Sequence, residues 1–400
     1  MKFDTERLYY QSAYMKEFDA TVLSCSAFGS DGSLFAIVLD RTAFFPESGG
    51  QYGDSGTLDG IEVRDTILSD GAILHITEMP IDSGTEVHGV IDFEMRFLRM
   101  QNHTGEHIVS GIIHRMLGLE NIGFHLSDED VTLDTNGAIT AEQLDKIERL
   151  ANRAVWANVP VTVCYATRDE QESNNFRGRL ERVDSDESIR VVDINGVDRC
   201  ACCAPHVAHT GEIGAIKIKE AIKYKGGMRL TLLCGQLALS DHSDRQAREA
   251  RLSSLLSLPP ERLCEGCERL LAECAGLKSE ISALNARLCD GLANTIAQGC
   301  ENACIFTELD TTNARRLVNL GMQKCKGICA VFCGDDEMGY SFIMGSENVD
   351  MREFSKLLLS KLSGRGGGST KMIQGSLRAS RKCIEALFDE LRDQSDNVTE

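Results

Sequence analysis

The segment from Phe93 to Leu117 constrains this chain more than any other, because helical periodicity and two histidines one turn apart coincide in it. It contains Asn102-His103-Thr104-Gly105-Glu106-His107-Ile108-Val109-Ser110-Gly111-Ile112-Ile113-His114. Ile108, Ile112 and Ile113 recur at helical spacing and Gly118 supplies a stop, so His103 and His107 share one face, about 6 Å apart at their β-carbons. A helix offers two imidazoles to one metal ion in this way. A buried polar stripe has the same pattern, so the metal reading requires further ligands elsewhere.

The 400 residues predict two or three domains, each able to bury a core. Met1-Lys2-Phe3-Asp4-Thr5-Glu6-Arg7 has no apolar core of signal-peptide length. No later run approaches the roughly 18 apolar residues of a membrane span, and a cytoplasmic protein without a membrane partner is expected. The 16 cysteines, spread through a chain with no secretion signal, read as reduced thiols. The formal charge of -19 excludes a nonspecific nucleic-acid binder but leaves room for local basic grooves. Lys217, Lys219, Lys223, Lys225 and Arg229 form one basic stretch, and Lys361, Arg365 and Lys371 another; each is a phosphate contact or a solvated face.

Residues 18–90 read as short strands, among them Leu34–Leu39 and Ile61–Leu68, with hairpin signals at Asp31-Gly32 and Asp70-Gly71. A small β-barrel or curled sheet is predicted. The glycine-dense stretch from Thr42 to Gly56 carries Glu47, Ser48, Gln51 and Asp54, and is either a close-approach loop for a substrate or a wide turn. Strands at Ile122–Leu126 and Val131–Asp134, a helix from Ala141 to Asn158, and strands at Val161–Tyr165 and Ile189–Ile194 predict an α+β layer.

Further ligands appear in Cys200-Ala201-Cys202-Cys203-Ala204-Pro205-His206-Val207-Ala208-His209. Cys202 and His206 flank a tight proline-containing turn, and a thiolate with neutral imidazoles suits zinc. His103, His107, Cys202 and His206 make an economical set, with Cys200, Cys203 and His209 as possible substitutes at one position. Beyond Pro259-Pro260, Leu263, Leu270, Leu277 and Leu284 recur every seven residues, with Cys267, Cys274, Ile281 and Leu288 at the complementary seam position, predicting a helical hairpin or coiled coil. Cys264 and Cys267 read as packing thiols, since Cys267 lies on the seam. Residues 300–400 predict an α/β unit: a strand at Ala303–Phe306, a helix to Gln323, a hairpin turned by Asp335-Asp336 and a helix over Met351–Leu362. The stretch Gly364-Arg365-Gly366-Gly367-Gly368-Ser369-Thr370-Lys371 reads as a loop whose N–H groups cradle a phosphate, or as a tight turn.

Four stretches together resemble the editing half of alanyl-tRNA synthetases, and in particular the free-standing alanyl-tRNA editing proteins. They are Phe44-Phe45-Pro46-Glu47-Ser48-Gly49-Gly50-Gln51-Tyr52-Gly53-Asp54, His103-Thr104-Gly105-Glu106-His107, Cys202-Cys203-Ala204-Pro205-His206-Val207 and Thr210-Gly211-Glu212-Ile213-Gly214. The resemblance covers roughly residues 5–235, with a weaker one to the synthetases' C-terminal domain over the last hundred. No synthetase catalytic domain precedes the motifs, so the resemblance implies a trans-acting hydrolase that deacylates tRNA(Ala) mischarged with serine or glycine. It implies one Zn2+ per chain on His103, His107, Cys202 and His206, substrate contacts from Ser48, Gly49, Gly50 and Gln51, and His125 reaching the same pocket as a catalytic residue, unless it is a satisfied sheet histidine. Glu106, beside a ligand, is a candidate general base or a solvated helix carboxylate. Lys223, Lys225, Arg229, Arg365 and Lys371 are the candidate tRNA contacts, and the resemblance implies a C-terminal domain that helps grip tRNA and can pair two copies. The sequence departs from the family's usual Ser-Ala-Thr at Thr104-Gly105-Glu106 and from its Gly-Gly-Thr at Cys203-Ala204-Pro205.

The fold expected is α+β, with a barrel domain at 1–90, a zinc-containing α/β editing domain at 91–240, a helical coiled-coil hairpin at 241–295 and a C-terminal α/β domain at 296–400. Two other readings use the same residues: a metallopeptidase of the H-x-x-E-H type with Glu106 as base, and a noncatalytic tRNA-binding protein.

Overall fold

The computed structural model describes residues 4–29, 32–167, 176–178 and 189–396. The chain divides into two compact units, Met1–Arg251 and Leu252–Glu400. Among the described residues no helix is long and apolar enough to cross a membrane.

The first unit opens with β1 (Glu6–Arg7), β2 (Glu17–Phe28), β3 (Leu34–Leu39), β4 (Arg41–Thr42), β5 (Gly56–Leu58), β6 (Ile61–Ser69), β7 (Ala72–Thr77) and β8 (Glu86–Ile91). Six of these close a barrel in the order β2-β3-β7-β6-β5-β8, shut by antiparallel pairing from Glu17 with Val90 to Thr21 with Glu86. Val22, Ile37, Leu39, Phe44, Leu58 and Val63 belong to its buried core. Asp70 and Gly71 both take positive φ, 49° and 84°, which suits a two-residue hairpin turn. β2 and β3 pair antiparallel up to Phe28 opposite Leu34, while Asp31 of the other hairpin signal lies outside the described residues.

α1 (Phe93–Leu117) follows, capped by Asp92, which accepts from the Met95 N–H, and ended by Gly118 at φ 65°. Every residue from Arg99 to Ile113 is buried. Next come β9 (Asn121–Leu126), β10 (Val131–Thr135), α2 (Ala141–Trp156), β11 (Val161–Ala166), β12 (Ile189–Ile194), β13 (Asp198–Ala201), β14 (Ile216–Tyr224) and β15 (Gly227–Cys234). A four-stranded sheet, β14-β15-β10-β9, shares one apolar core with α1 and α2; β11-β12-β13 form a separate antiparallel sheet. α2 starts with a reciprocal Thr140/Gln143 capping box and buries Ile147, Ala151 and Val155. Gly111 lets α1 press against β13: a β-carbon there would lie 2.7 Å from that of Asp198.

α3 (Gln236–Leu256) buries none of its residues. In the second unit, α4 (Leu263–Thr295) buries Cys289 and Ala293 in a core shared with α5 (Thr311–Met322). The predicted heptad seam is not covered. Leu270, Leu277, Leu284 and Leu288 are 44–52% exposed, and Cys264 and Cys267, read as packing thiols, are exposed too. A seam needs a second helix against it, and among the described residues of the second unit none covers this one. The sheet that follows has the order β16-β17-β18-β20-β19, built from β16 (Ala303–Thr307), β17 (Cys329–Asp335), β18 (Gly339–Gly345), β19 (Gly364–Gly368) and β20 (Met372–Leu377), with α6 (Met351–Lys361) and α7 (Arg381–Asp396). The glycine stretch read as a phosphate loop is therefore an edge strand, paired Gly366 to Gly375. Glycine serves packing there: a β-carbon on Gly366 would sit 2.7 Å from the Phe342 ring.

One buried ion pair ties α1 to the barrel. The Arg96 guanidinium, fully buried, donates from Nε to both Asp54 oxygens at 2.9 Å and from Nη2 to the Ala43 carbonyl at 2.7 Å. Asp54 also accepts from the Phe45 N–H at 2.5 Å, closing the glycine-dense loop. Asp54→Ala leaves the guanidinium buried without its counter-charge. It is expected to destabilise the first unit by about 3–5 kcal/mol, read from urea denaturation of the full chain.

Candidate metal centre

α1 and the turn after β13 bring His103, His107, Cys202 and His206 together, with their ligand atoms all within 4.8 Å of one another. The Cys202 sulfur lies 3.3 Å from His206 Nε2 and 3.6 Å from His103 Nε2. Each imidazole is held from behind through Nδ1: His103 by Gln51 Oε1 at 2.7 Å, His107 by Asp198 Oδ2 at 3.0 Å, and His206 by Thr104 Oγ1 at 3.0 Å. The Thr104 hydroxyl proton goes to the Met100 carbonyl at 2.7 Å, so its oxygen accepts from His206. A carboxylate and an amide oxygen only accept. Nδ1 therefore carries a proton in all three rings, and three Nε2 atoms face one sulfur. Against burial, the Asp198 carboxylate and the Cys202 sulfur hold the His107 ring well above the ordinary histidine range. Three imidazoles and one thiolate, each imidazole oriented by an outer hydrogen bond, fit a tetrahedral divalent ion.

Electrostatics select Cys202 from the neighbouring cysteines. Burial alone would raise its thiol, but the His103 and His206 rings beside it, and hydrogen bonds from His103 and His107, hold it well below the ordinary range. Burial pushes His206 down to about 3. Burial pushes the Cys200 thiol up to about 12, and Cys203 is raised by burial as well, its sulfur 3.4 Å from Ser48 Oγ. His209 is half exposed beside Glu212. Cys200 does converge with His107 and Asp198. Asp198, however, is engaged by both His107 and Arg177, whose Nε and Nη2 donate to it at 2.7 and 2.8 Å. Against burial, those two partners draw its carboxyl down to about 2.

The glycine-dense loop supplies Gln51 from a tight turn in which the Ser48 and Gln51 N–H groups and carbonyls bond reciprocally at 3.1 Å. Gln51 is fully buried, and its Nε2 has no hydrogen-bond partner. Gly49 lines a cleft of ≈ 920 Å³ together with Asn121, Gly123, Phe124, Arg177 and Cys200. Glu106 is buried rather than solvated, and one of its oxygens accepts from Asn121 Nδ2 at 2.9 Å. His125 does not join the cluster. Alternation along β9 puts the Phe124 ring 4.8 Å from His103 and turns His125 outward, against Tyr52 at 5.6 Å.

The predicted tRNA contacts separate into two kinds. Arg229 donates to both Asp134 oxygens at 2.7 and 2.8 Å and lies over the Tyr224 ring, and Lys371 pairs with Glu347 at 2.7 Å, so neither charge is free. Lys223 and Lys225 are exposed at the β14–β15 hairpin, and Arg365 is exposed on β19. Sequence reasoning missed Thr104, Asp198 and Arg177. Thr104 sits between the two ligand histidines, which is a usable signal. Nothing local marks Asp198 or Arg177, whose roles arise from chain crossings.

Comparison with known proteins adds the following. Residues 5–95 match the family model described as tRNA synthetases class II (A), and residues 189–231 match the Threonyl and Alanyl tRNA synthetase second additional domain. The chain is similar to alanyl-tRNA editing protein AlaX-L of Pyrococcus horikoshii, 28% identical over 96% of both chains. It is 32% identical to alanyl-tRNA editing protein Aarsd1 of Mus musculus over 66% of this chain and 67% of that one. It is 33% identical to the alanine–tRNA ligase of Pyrococcus furiosus over 96% of its own length, and spans 43% of that ligase.

Thr104→Val keeps the side-chain shape while removing the acceptor for His206. It is expected to weaken divalent-ion affinity about 10- to 100-fold, measured by chelator competition with Co2+ as the spectroscopic probe.

Proposed function

We propose that this chain, which belongs to the alanyl-tRNA editing proteins, is a hydrolase that cleaves the ester joining a wrong amino acid, serine or glycine, to tRNA(Ala). The observation that carries this reading is the convergence of three Nδ1-protonated imidazoles and the Cys202 thiolate beside the Gln51 loop and an open cleft. His103, His107, Cys202 and His206 would hold one Zn2+, which would supply positive charge and shape the pocket, and would act as a Lewis acid where a ligand such as His206 gives way. An aminoacyl ester is already activated, so a positioned water and stabilised oxyanion suffice without a covalent nucleophile. The free Gln51 Nε2 is the donor assigned to the ester or the amino acid, and Ser48, Gly49 and Gly50 form the wall the substrate backbone approaches. Glu106, held by Asn121 at the cleft, is the carboxylate assigned to take the proton of the attacking water. Lys223, Lys225 and Arg365 are assigned to the tRNA backbone. Arg229 acts instead by keeping the hairpin on β10 through Asp134.

Side-by-side deacylation of Ser-, Gly- and Ala-tRNA(Ala) tests the reading: the first two are expected to turn over and the correctly charged one to persist. Cys202→Ala abolishes turnover and metal content together. Glu106→Gln slows turnover by about 10²-fold or more if it is the base, and an unchanged rate removes it from the mechanism. Lys223→Glu with Lys225→Glu raises KM and leaves kcat. Equal turnover of all three substrates would overturn the editing assignment.

The exposed leucine stripe of α4 is assigned to pairing of two copies. Light scattering is expected to give a dimer that Leu277→Asp with Leu284→Asp converts to a monomer; a monomeric parent would refute the pairing.

A further inference from the structure

We propose that Cys300 and Cys325 form a modification site, a dithiol that closes to an intrachain disulfide by exchange with a low-molecular-weight disulfide. Their sulfurs lie 3.3 Å apart, although the residues are 25 positions apart in the chain. Backbone hydrogen bonds fix both sides of the pair. The Gly299 N–H donates to the Lys324 carbonyl at 2.8 Å, the Lys326 N–H to the Cys300 carbonyl at 2.8 Å, and the Gly327 N–H to the Glu301 carbonyl at 2.6 Å. The two segments therefore run side by side with one cysteine on each, and bonding distance, about 2.05 Å, needs only a small closing of the two sulfurs. Exposure is graded across the site. Cys300 is half-buried and reachable from solvent, Cys325 is buried behind it, and Cys329 is fully buried. Core thiols that merely fill space need neither an accessible member nor a ladder between their segments.

The exchange balances in two steps. The Cys300 thiolate attacks one sulfur of glutathione disulfide, forming a mixed disulfide and expelling one glutathione thiolate. The Cys325 thiolate then attacks the Cys300 sulfur and expels the second. The two cysteines lose two electrons, the glutathione sulfurs gain them, and the two thiol protons pass to the departing glutathiones. Burial pushes the Cys300 thiol up to about 11, so exchange starts slowly. High-pKa thiols are poor leaving groups, so the closed bond also resists attack. Closing a loop of this length removes freedom from the unfolded chain and fastens the entry to β16 to the exit of α5.

The test treats the full chain with oxidised glutathione, alkylates the remaining thiols and maps the peptides by mass. The expected product is one peptide pair joined through Cys300 and Cys325, lighter by two hydrogens. Its thermal midpoint should rise by about 5–10 °C, reversed by dithiothreitol and absent in Cys300→Ser. Cys325→Ser should stop at the mixed glutathione disulfide on Cys300. Should a Cys325 variant fail to fold, judged by circular dichroism, Cys300→Ser at the half-exposed position carries the test. Full alkylation of Cys300 and Cys325 while exposed Cys264 and Cys383 are oxidised would overturn the proposal. So would a Cys325–Cys329 link, or a mixed disulfide on Cys300 that never resolves in the parent chain.

Discussion

The buried contact between Arg96 and Asp54 governs how the first unit is put together. A guanidinium removed from water is costly unless it is paired and hydrogen-bonded, and here Asp54 and the Ala43 and Ala13 carbonyls take donors from all three of its nitrogens. Asp54 meanwhile bonds the Phe45 N–H at the base of the glycine-dense loop. One carboxylate thus fixes both the first turns of α1 and the loop that carries Gln51. Arg99 repeats the device one turn on, donating to the Gly53 carbonyl at 2.6 Å and to Asp128. Register between helix and loop is set by charge in a dry interior, and the Gln51–His103 hydrogen bond depends on it.

The centre of α1 is buried on all sides yet rich in polar side chains, a combination that is stable only when each polar group has a partner. Asn102 bonds Leu98 and Cys234, Thr104 bonds Met100 and His206, and His107 bonds Asp198. The same hydrogen bonds that make the burial affordable orient the imidazoles. Fold stability and ligand geometry share one network here, so a change at Thr104 or Asp198 acts on both.

The second unit follows a different logic. Its core is apolar, built on Phe332, Phe342, Met344 and Leu358, and its glycine strand is a packing solution against Phe342. Its surface keeps an uncovered leucine stripe on α4. Its thiols include exposed Cys264, Cys267 and Cys274 on α4 and a contacting pair, Cys300 with Cys325, held between hydrogen-bonded segments.

Local order was legible from residues alone. The caps and span of α1, the Thr140 start of α2, the Asp70-Gly71 turn and the pairing of His103 with His107 all rest on interactions within a few positions. Cys202 and His206 were legible as donors because few residue types bind a soft cation, although they stand 99 positions or more from His103. What tertiary structure alone decided was who faces whom. Strand parity turned Phe124 toward His103 and His125 away, Asp134 absorbed the charge of Arg229, and a neighbouring strand made Gly364–Gly368 an edge instead of a loop. Asp198 and Arg177 became part of the centre only because β13 crosses α1 at Gly111. Sequence determines which donors exist and the local periodicity that presents them. Their protonated atoms, counter-charges and partners depend on contacts between segments far apart in the chain, and no local pattern encodes those.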